Sequence, residues 1–137
     1  MSNNGFIGRL MQKYSKLRLP EFQAEMAERN FNALKTGIPS ASQNAVNDLL
    51  DGHVVIIKTV KSRKTKAGDF RPPRKGEIPI ITLNRDLNPL SFLVTFLHEW
   101  AHLIIFEEYS NRVKPHGKEW KSEYQKILHP FSLDTNL

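Results

Sequence analysis

The first half of the chain carries apolar residues at helical spacing. A first stripe, with basic residues largely opposite, predicts an amphipathic helix over Phe6, Ile7, Leu10, Met11, Tyr14 and Leu17. A second helix is predicted to follow Pro20 and to end near Gly37, with apolar positions at Phe22, Met26, Ala33 and Leu34. Ser42 is placed to cap a third, shorter helix that ends at Gly52.

Two later runs rich in β-branched residues have the composition of strands. They span His53–Val60 and Ile78–Leu83. The glycines and prolines between them predict a hairpin with a short intermediate strand near Phe70. A polar turn follows, in which Asn88 or Ser91 can cap the next helix.

That next helix carries the strongest chemical signal in the chain. An apolar run from Leu90 leads into His98-Glu99-Trp100-Ala101-His102, and apolar residues follow it. On a helix, histidines at i and i+4 project from one face, one turn apart. This is the H-E-x-x-H pattern, in which two histidines bind zinc and the glutamate is a general base. Trp100 is interpreted as a packing residue.

Catalytic zinc usually has three protein ligands, so a third must come from elsewhere. The metzincin pattern requires glycine and histidine where this chain has Ile105 and Glu108, which excludes that class. His116, between Pro115 and Gly117, is favoured, while Glu119 or Glu123 remains the carboxylate alternative. His53 and His129 lack such a context and are interpreted as structural or exposed.

Length and composition limit the number of domains, the kind of metal site and the cellular location. The 137 residues suggest one domain, 1–137, and the absence of cysteine excludes a disulfide scaffold or a thiolate metal site. Residues 1–8 do not resemble a signal peptide, and the apolar run around Leu103–Phe106 is too short to cross a bilayer, so a cytoplasmic protein without membrane contact is predicted.

The net charge of +6 suggests an acidic partner such as nucleic acid. The basic residues cluster between positions 58 and 75, where a hairpin could follow a phosphate backbone and Phe70 could stack on a base. The alternative is a solvated hairpin whose charges prevent edge-to-edge association. The candidate nucleic-acid-binding residues are Lys58, Lys61, Arg63, Lys64, Lys66, Arg71, Arg74 and Lys75.

The zinc motif, together with His116-Gly117-Lys118-Glu119-Trp120-Lys121 and the approach Thr82-Leu83-Asn84, resembles the SprT-like zinc metallopeptidase domain of the SprT/Spartan family. The resemblance is strongest over Ile80–Ile127. It implies zinc held by His98, His102 and His116, with Glu99 polarising the zinc-bound water for peptide-bond hydrolysis. It further implies substrates that are DNA-associated or cross-linked to DNA. The family's cysteine-based ribbon is missing, which favours a chain truncated before it.

The predicted fold is therefore α+β: a zincin-like helical domain with a small antiparallel sheet of about three strands, packed on the zinc-binding helix. The predicted function is a zinc metalloprotease acting on a protein or peptide, with DNA as a second partner. Tyr109, Tyr124 and the loop lysines and arginines are candidate oxyanion donors. The alternative function is a DNA-binding accessory module with a mainly structural zinc site.

Overall fold

A computed structural model describes residues 19–133 and shows an α+β fold. The helix predicted over Phe6–Leu17 lies outside the described residues. The elements are α1 (Leu19–Leu34), α2 (Gln43–Leu50), β1 (Ile56–Val60), β2 (Gly68–Arg71), β3 (Ile80–Asn84), α3 (Pro89–Tyr109) and α4 (Lys118–Leu128). Short 3-10 turns precede α2 and follow α4, at Ser40–Ser42 and His129–Phe131. The α+β class, the three strands and the helix that carries the two motif histidines are confirmed.

The pairing of the strands differs from the prediction. The sheet order is β1-β3-β2, with β3 antiparallel to β2 but parallel to β1. The sheet is therefore mixed and not antiparallel throughout, and the predicted hairpin between the two long runs is wrong. Both runs are rich in β-branched residues and are covered on two faces, as in parallel strands. The segment 61–79 is long enough to carry the chain back to the start of a parallel strand. It leaves β2 as an edge strand.

Helices cover both faces of the sheet. The paired residues Ile56 and Ile80 point toward α1, where Ile56 joins a core cluster with Phe22 and Met26. Their neighbours along the strands, including Ile57 and Ile81, join the larger core around α3. Side chains alternate across a strand, so adjacent isoleucines can serve two cores.

Helix α3 is the central element of the larger core. Asn88 caps it, because the Asn88 Oδ1 accepts a hydrogen bond from the Ser91 amide at 2.9 Å. By length and composition α3 is apolar enough to cross a membrane, a longer apolar stretch than the sequence prediction recognised. Half of its most apolar window is buried inside the domain, and it packs against α4 and strands β2 and β3. Such burial is typical of a core helix.

Two residues near the ends of the shorter helices lie where the sequence predicts them, but they make different contacts from those expected. Ser42 precedes α2, but its hydroxyl donates to the Pro39 carbonyl oxygen at 2.7 Å and does not cap the helix. Gly37 follows α1 and packs closely against Phe92. A Cβ added at residue 37 would lie only 2.8 Å from the Phe92 ring.

Candidate metal centre

Helix α3 presents the first two histidines. His98 and His102 lie one helical turn apart and are partly buried, with their ring centroids 5.0 Å apart. Between them Glu99 is buried, with only 7% of its surface exposed. The helix fixes this arrangement locally, because i and i+4 positions share a face whatever the rest of the fold does.

The third histidine comes from the loop that joins α3 to α4. His116 has φ of +60°, a left-handed conformation that costs a non-glycine residue about 1–2 kcal/mol. In that conformation its Nε2 lies 3.0 Å from the His102 Nε2 and 3.1 Å from the His98 Nε2. The structure therefore holds a strained residue where its ring nitrogen meets those of the two helical histidines.

The three histidines form a group that can hold a metal ion. Their ligand nitrogens all lie within 4.8 Å of one another. Tetrahedral zinc with bonds of about 2.0–2.1 Å would place such nitrogens roughly 3.3 Å apart, close to the two short separations observed. Within residues 19–133, the carboxylates of Glu119 and Glu123 are not part of this group and line a separate groove beside α3.

Burial keeps the helical histidines in the form that a metal requires. It lowers the pKa of His102 to about 4, and charge on His98 and His116 would lower it further. The pKa of His98 is lowered for the same first reason, with His116 adding to the effect. Neutral imidazoles at neutral pH have a free ring nitrogen for a cation.

Aromatic residues of α4 hold the imidazole rings from one side. Trp120 stacks on His102 with centroids 5.4 Å apart and meets His98 edge-on at 4.8 Å. Tyr124 stacks in turn on Trp120 at 4.7 Å. Both are buried, so this packing of α4 on α3 restricts the ring orientations.

The environment of Glu99 raises its pKa to about 7. Burial is the largest cause, and the nearby Asp69 carboxylate adds to it, while Arg63 and Lys66 oppose the rise. A carboxyl group that titrates near neutral pH can both accept and release a proton under physiological conditions.

Asp69 belongs to a charged cluster that the sequence prediction did not find. Its Oδ2 accepts hydrogen bonds from Lys66 Nζ at 2.7 Å and Arg63 Nη1 at 3.2 Å. The Arg63 Nε donates to the Asn84 Oδ1 at 2.9 Å. The buried Asn84 also donates through its amide nitrogen to the carbonyl oxygens of Arg63 and Lys66. Asn84 therefore ties the segment 61–67, the connecting loop, to the end of β3.

The basic residues between positions 58 and 75 thus fall into two groups, those that are partly buried or paired and those that are exposed. Arg63 is partly buried within the Asn84–Asp69 cluster and is not presented as a phosphate contact; its Nη2 is buried and has no hydrogen-bond partner among the residues described. Lys66 is exposed but paired with Asp69, and Lys58 is partly buried. The side chains that remain on the surface are Lys61, Lys64, Arg71, Arg74 and Lys75.

A cleft of about 640 Å³ opens over the histidines and Glu99. Three segments line most of it: residues 68–72 at the edge strand β2, the part of α3 from His98 to Phe106, and the loop of residues 110–116. Trp120 of α4 completes the lining. Tyr109 and Tyr124, two of the predicted oxyanion donors, are not among its lining residues, whereas Lys114 is.

The remaining histidines lie away from this cleft. The His53 Nδ1 lies 3.1 Å from both carboxylate oxygens of Glu107, and its ring meets Trp100 edge-on at 5.0 Å. His129 is exposed after α4. Trp100 is buried in the core, in agreement with its predicted packing role.

Comparison with known proteins places this architecture in a family. The model of the SprT-like family matches residues 39–136. A protein named Protein SprT from Glaesserella parasuis is 31% identical over 70 residues, which is 51% of this chain and 43% of that relative. Another from Vibrio parahaemolyticus is 45% identical over 42 residues, covering 30% of this chain and 25% of the relative. Each match thus spans less than half of the relative's length. No solved structure matches the chain.

Proposed function

The chain belongs to the SprT-like family, and from that membership and the geometry of the cleft we propose that it is a zinc-dependent metallopeptidase. The observation that carries the proposal is the convergence of three histidine nitrogens beside a buried glutamate in one open cleft. A purely structural metal site needs neither a cleft nor a carboxyl group of raised pKa.

The roles follow from position and charge. His98, His102 and His116 would hold zinc, since three neutral nitrogen donors leave an open position, as catalytic zinc sites do. Zinc, when bound, supplies the Lewis acidity that activates water and polarises a carbonyl group. Glu99 accepts the proton of the attacking water and delivers it to the leaving amine, for which a pKa of about 7 suits both directions. Lys114 lines the cleft and can donate a hydrogen bond to the developing oxyanion.

Metal content and peptide cleavage test this proposal together. We expect Glu99→Gln to retain bound zinc and to lose cleavage of an unstructured protein substrate, and His116→Ala to lose both. Glu108→Gln is the matched control, because Glu108 is exposed on the same helix and should behave like wild type. Cleavage by Glu99→Gln at the wild-type rate would refute the role of Glu99, whereas zinc binding without cleavage by the wild-type protein would refute the peptidase assignment and favour an accessory module with a structural metal.

We further propose that the substrates are proteins associated with DNA. Five exposed cations lie in or close in sequence to the edge strand that lines the cleft. Arg71 is the last residue of the strand, and the others are Lys61, Lys64, Arg74 and Lys75. Removing one cation that binds a phosphate should reduce the slope of log affinity against log salt by about 0.9. Lys61→Ala with Lys64→Ala should therefore weaken binding to duplex DNA and lower that slope by about 2. Lys35→Ala with Lys126→Ala, both exposed elsewhere, is the control; equal losses of affinity in the two pairs would contradict a defined DNA surface.

A further inference from the structure

Beside the histidines, the cleft has an apolar wall that the proposed chemistry does not use. It combines side chains from all three lining segments, with Pro72 following the edge strand and Phe106 near the end of α3. We define the apolar wall as Phe70, Pro72, Phe106, Val113 and Pro115.

The apolar wall starts at the metal centre itself. The Phe70 ring lies parallel to the His102 ring, with centroids 6.5 Å apart and an interplanar angle of 14°. Phe106 lies 6.1 Å from Phe70, on the next turn of α3 after His102. The surface is therefore continuous with the group of ring nitrogens where chemistry would occur, and a chain bound there would pass directly onto the wall.

The wall faces the cleft, although Phe70 and Val113 also pack against the core. Phe70, Phe106 and Val113 are partly exposed, and Pro72 and Pro115 are exposed. Apolar surface that lines a concave site next to polar groups is typical of ligand recognition. The acidic group in the cleft near it, Asp69, forms ion pairs with Lys66 and Arg63, and these two cations weaken its attraction for a cationic side chain.

We propose that the apolar wall is a side-chain subsite that binds a large apolar residue of the peptide next to the scissile bond. This rests on the proposed peptidase function for its substrate class. The occupant is an aliphatic or aromatic side chain, because the wall offers apolar contacts from three segments. A polar side chain of the same size would lose its hydration there without gaining hydrogen bonds.

A matched pair of peptides tests the subsite without requiring turnover. The two differ only in having leucine or asparagine, which are similar in size, at one central position of an otherwise small and uncharged sequence. Binding is measured by fluorescence anisotropy on the zinc-loaded Glu99→Gln protein. We expect the leucine peptide to bind at least about tenfold more tightly, the scale on which apolar pockets discriminate.

Two variants distinguish binding at the subsite from non-specific apolar binding elsewhere on the surface. Val113→Asp should reduce the preference for leucine to less than about twofold, since it places a carboxylate in the wall. Leu90→Asp is the control, because Leu90 is 54% exposed and lies away from the cleft, and it should retain the full preference. Circular dichroism establishes that both variants fold; if Val113→Asp does not fold, the peptide pair on the Glu99→Gln protein decides alone.

The outcomes distinguish this inference from the proposed function. Discrimination of leucine from asparagine without cleavage by the wild-type protein would support the subsite and refute the peptidase. Cleavage of both peptides at equal rates, with equal binding, would refute the subsite and leave the peptidase intact. Failure of both peptides to bind at millimolar concentration, or a preference unchanged in folded Val113→Asp, would also overturn the subsite.

Discussion

Asn84 offers the sharpest test of how the fold supports the cleft. It is 3% exposed, and its side chain makes three hydrogen bonds: from its Nδ2 to the carbonyl oxygens of Lys66 (2.8 Å) and Arg63 (3.2 Å), and to its Oδ1 from the Arg63 Nε (2.9 Å). Asn84→Ala removes all three. The connecting loop would lose its attachment to β3 apart from backbone contacts such as the amide of residue 84 donating to the Ala67 carbonyl oxygen.

The expected cost follows from the groups left without partners. A buried polar group that loses its partner costs about 1–3 kcal/mol. The Arg63 Nε would lose its acceptor in a guanidinium whose Nη2 already has none in the described part of the chain. Water can reach the two loop carbonyls in part, so we expect a decrease of about 2–4 kcal/mol in the free energy of unfolding.

Urea denaturation measures that decrease in the free energy of unfolding. Limited proteolysis with trypsin tests whether the connecting loop is the part that is released. Released from Asn84, the connecting loop should be cut faster after Lys61 and Lys64 than in wild type. Asn47→Ala, at an exposed position of α2, is the control and should change stability by less than about 0.5 kcal/mol. A double-mutant cycle with Arg63→Ala should give a coupling free energy above about 0.5 kcal/mol. An Asn84→Ala protein within that margin of wild type, with an unchanged tryptic pattern, would show that Asn84 does not anchor the loop.

Three further substitutions test other parts of the structure. Without metal, His116→Gly should be about 1–2 kcal/mol more stable to urea than His116→Ala, because glycine relieves the positive φ; equal stabilities would argue against strain. Asn30→Ala should lower the free energy of unfolding by about 2–4 kcal/mol in thermal denaturation, because the buried Asn30 side chain hydrogen-bonds to the Val55 carbonyl oxygen and the Ile57 amide. A decrease no larger than that of Asn32→Ala, at an exposed position, would contradict this. Gly37→Ala should cost about 1–3 kcal/mol by urea denaturation through its clash with Phe92; an unchanged midpoint would show that the ring moves freely.

Some features of the candidate site could be predicted because they depend on local geometry. The shared face of His98 and His102 follows from the helix, and the helix follows from a capped, apolar run. The position of His116 was favoured from Pro115 and Gly117, but spacing alone did not exclude the carboxylates of α4. What brings its ring nitrogen to the pair is a left-handed backbone at residue 116 and the packing of Trp120 and α4 on α3.

Other features could not be predicted because the sequence pattern is the same for different outcomes. Ile56 and Ile80 would have the same β-branched neighbours in a parallel or an antiparallel pair, and the hairpin prediction chose the wrong one. Arg63 resembles its basic neighbours in composition, yet it is held within the fold by Asn84 and Asp69. Neither the burial of Asn84 nor its three side-chain hydrogen bonds leave a periodic signal in the sequence.

The residue pattern alone specifies the chemistry available to this protein: two histidines and a glutamate on one apolar helix, no thiol to compete with them, and a concentration of positive charge in one segment. Tertiary packing was needed to select the third group that joins the pair, to separate the exposed cations from those that are paired or partly buried, and to set an apolar wall beside the metal centre. The physical reason is the separation along the chain of the residues that interact. Side-chain spacing along a helix is set by neighbouring dihedral angles, whereas a cleft is set by how helices, strands and loops pack at long separation in the chain.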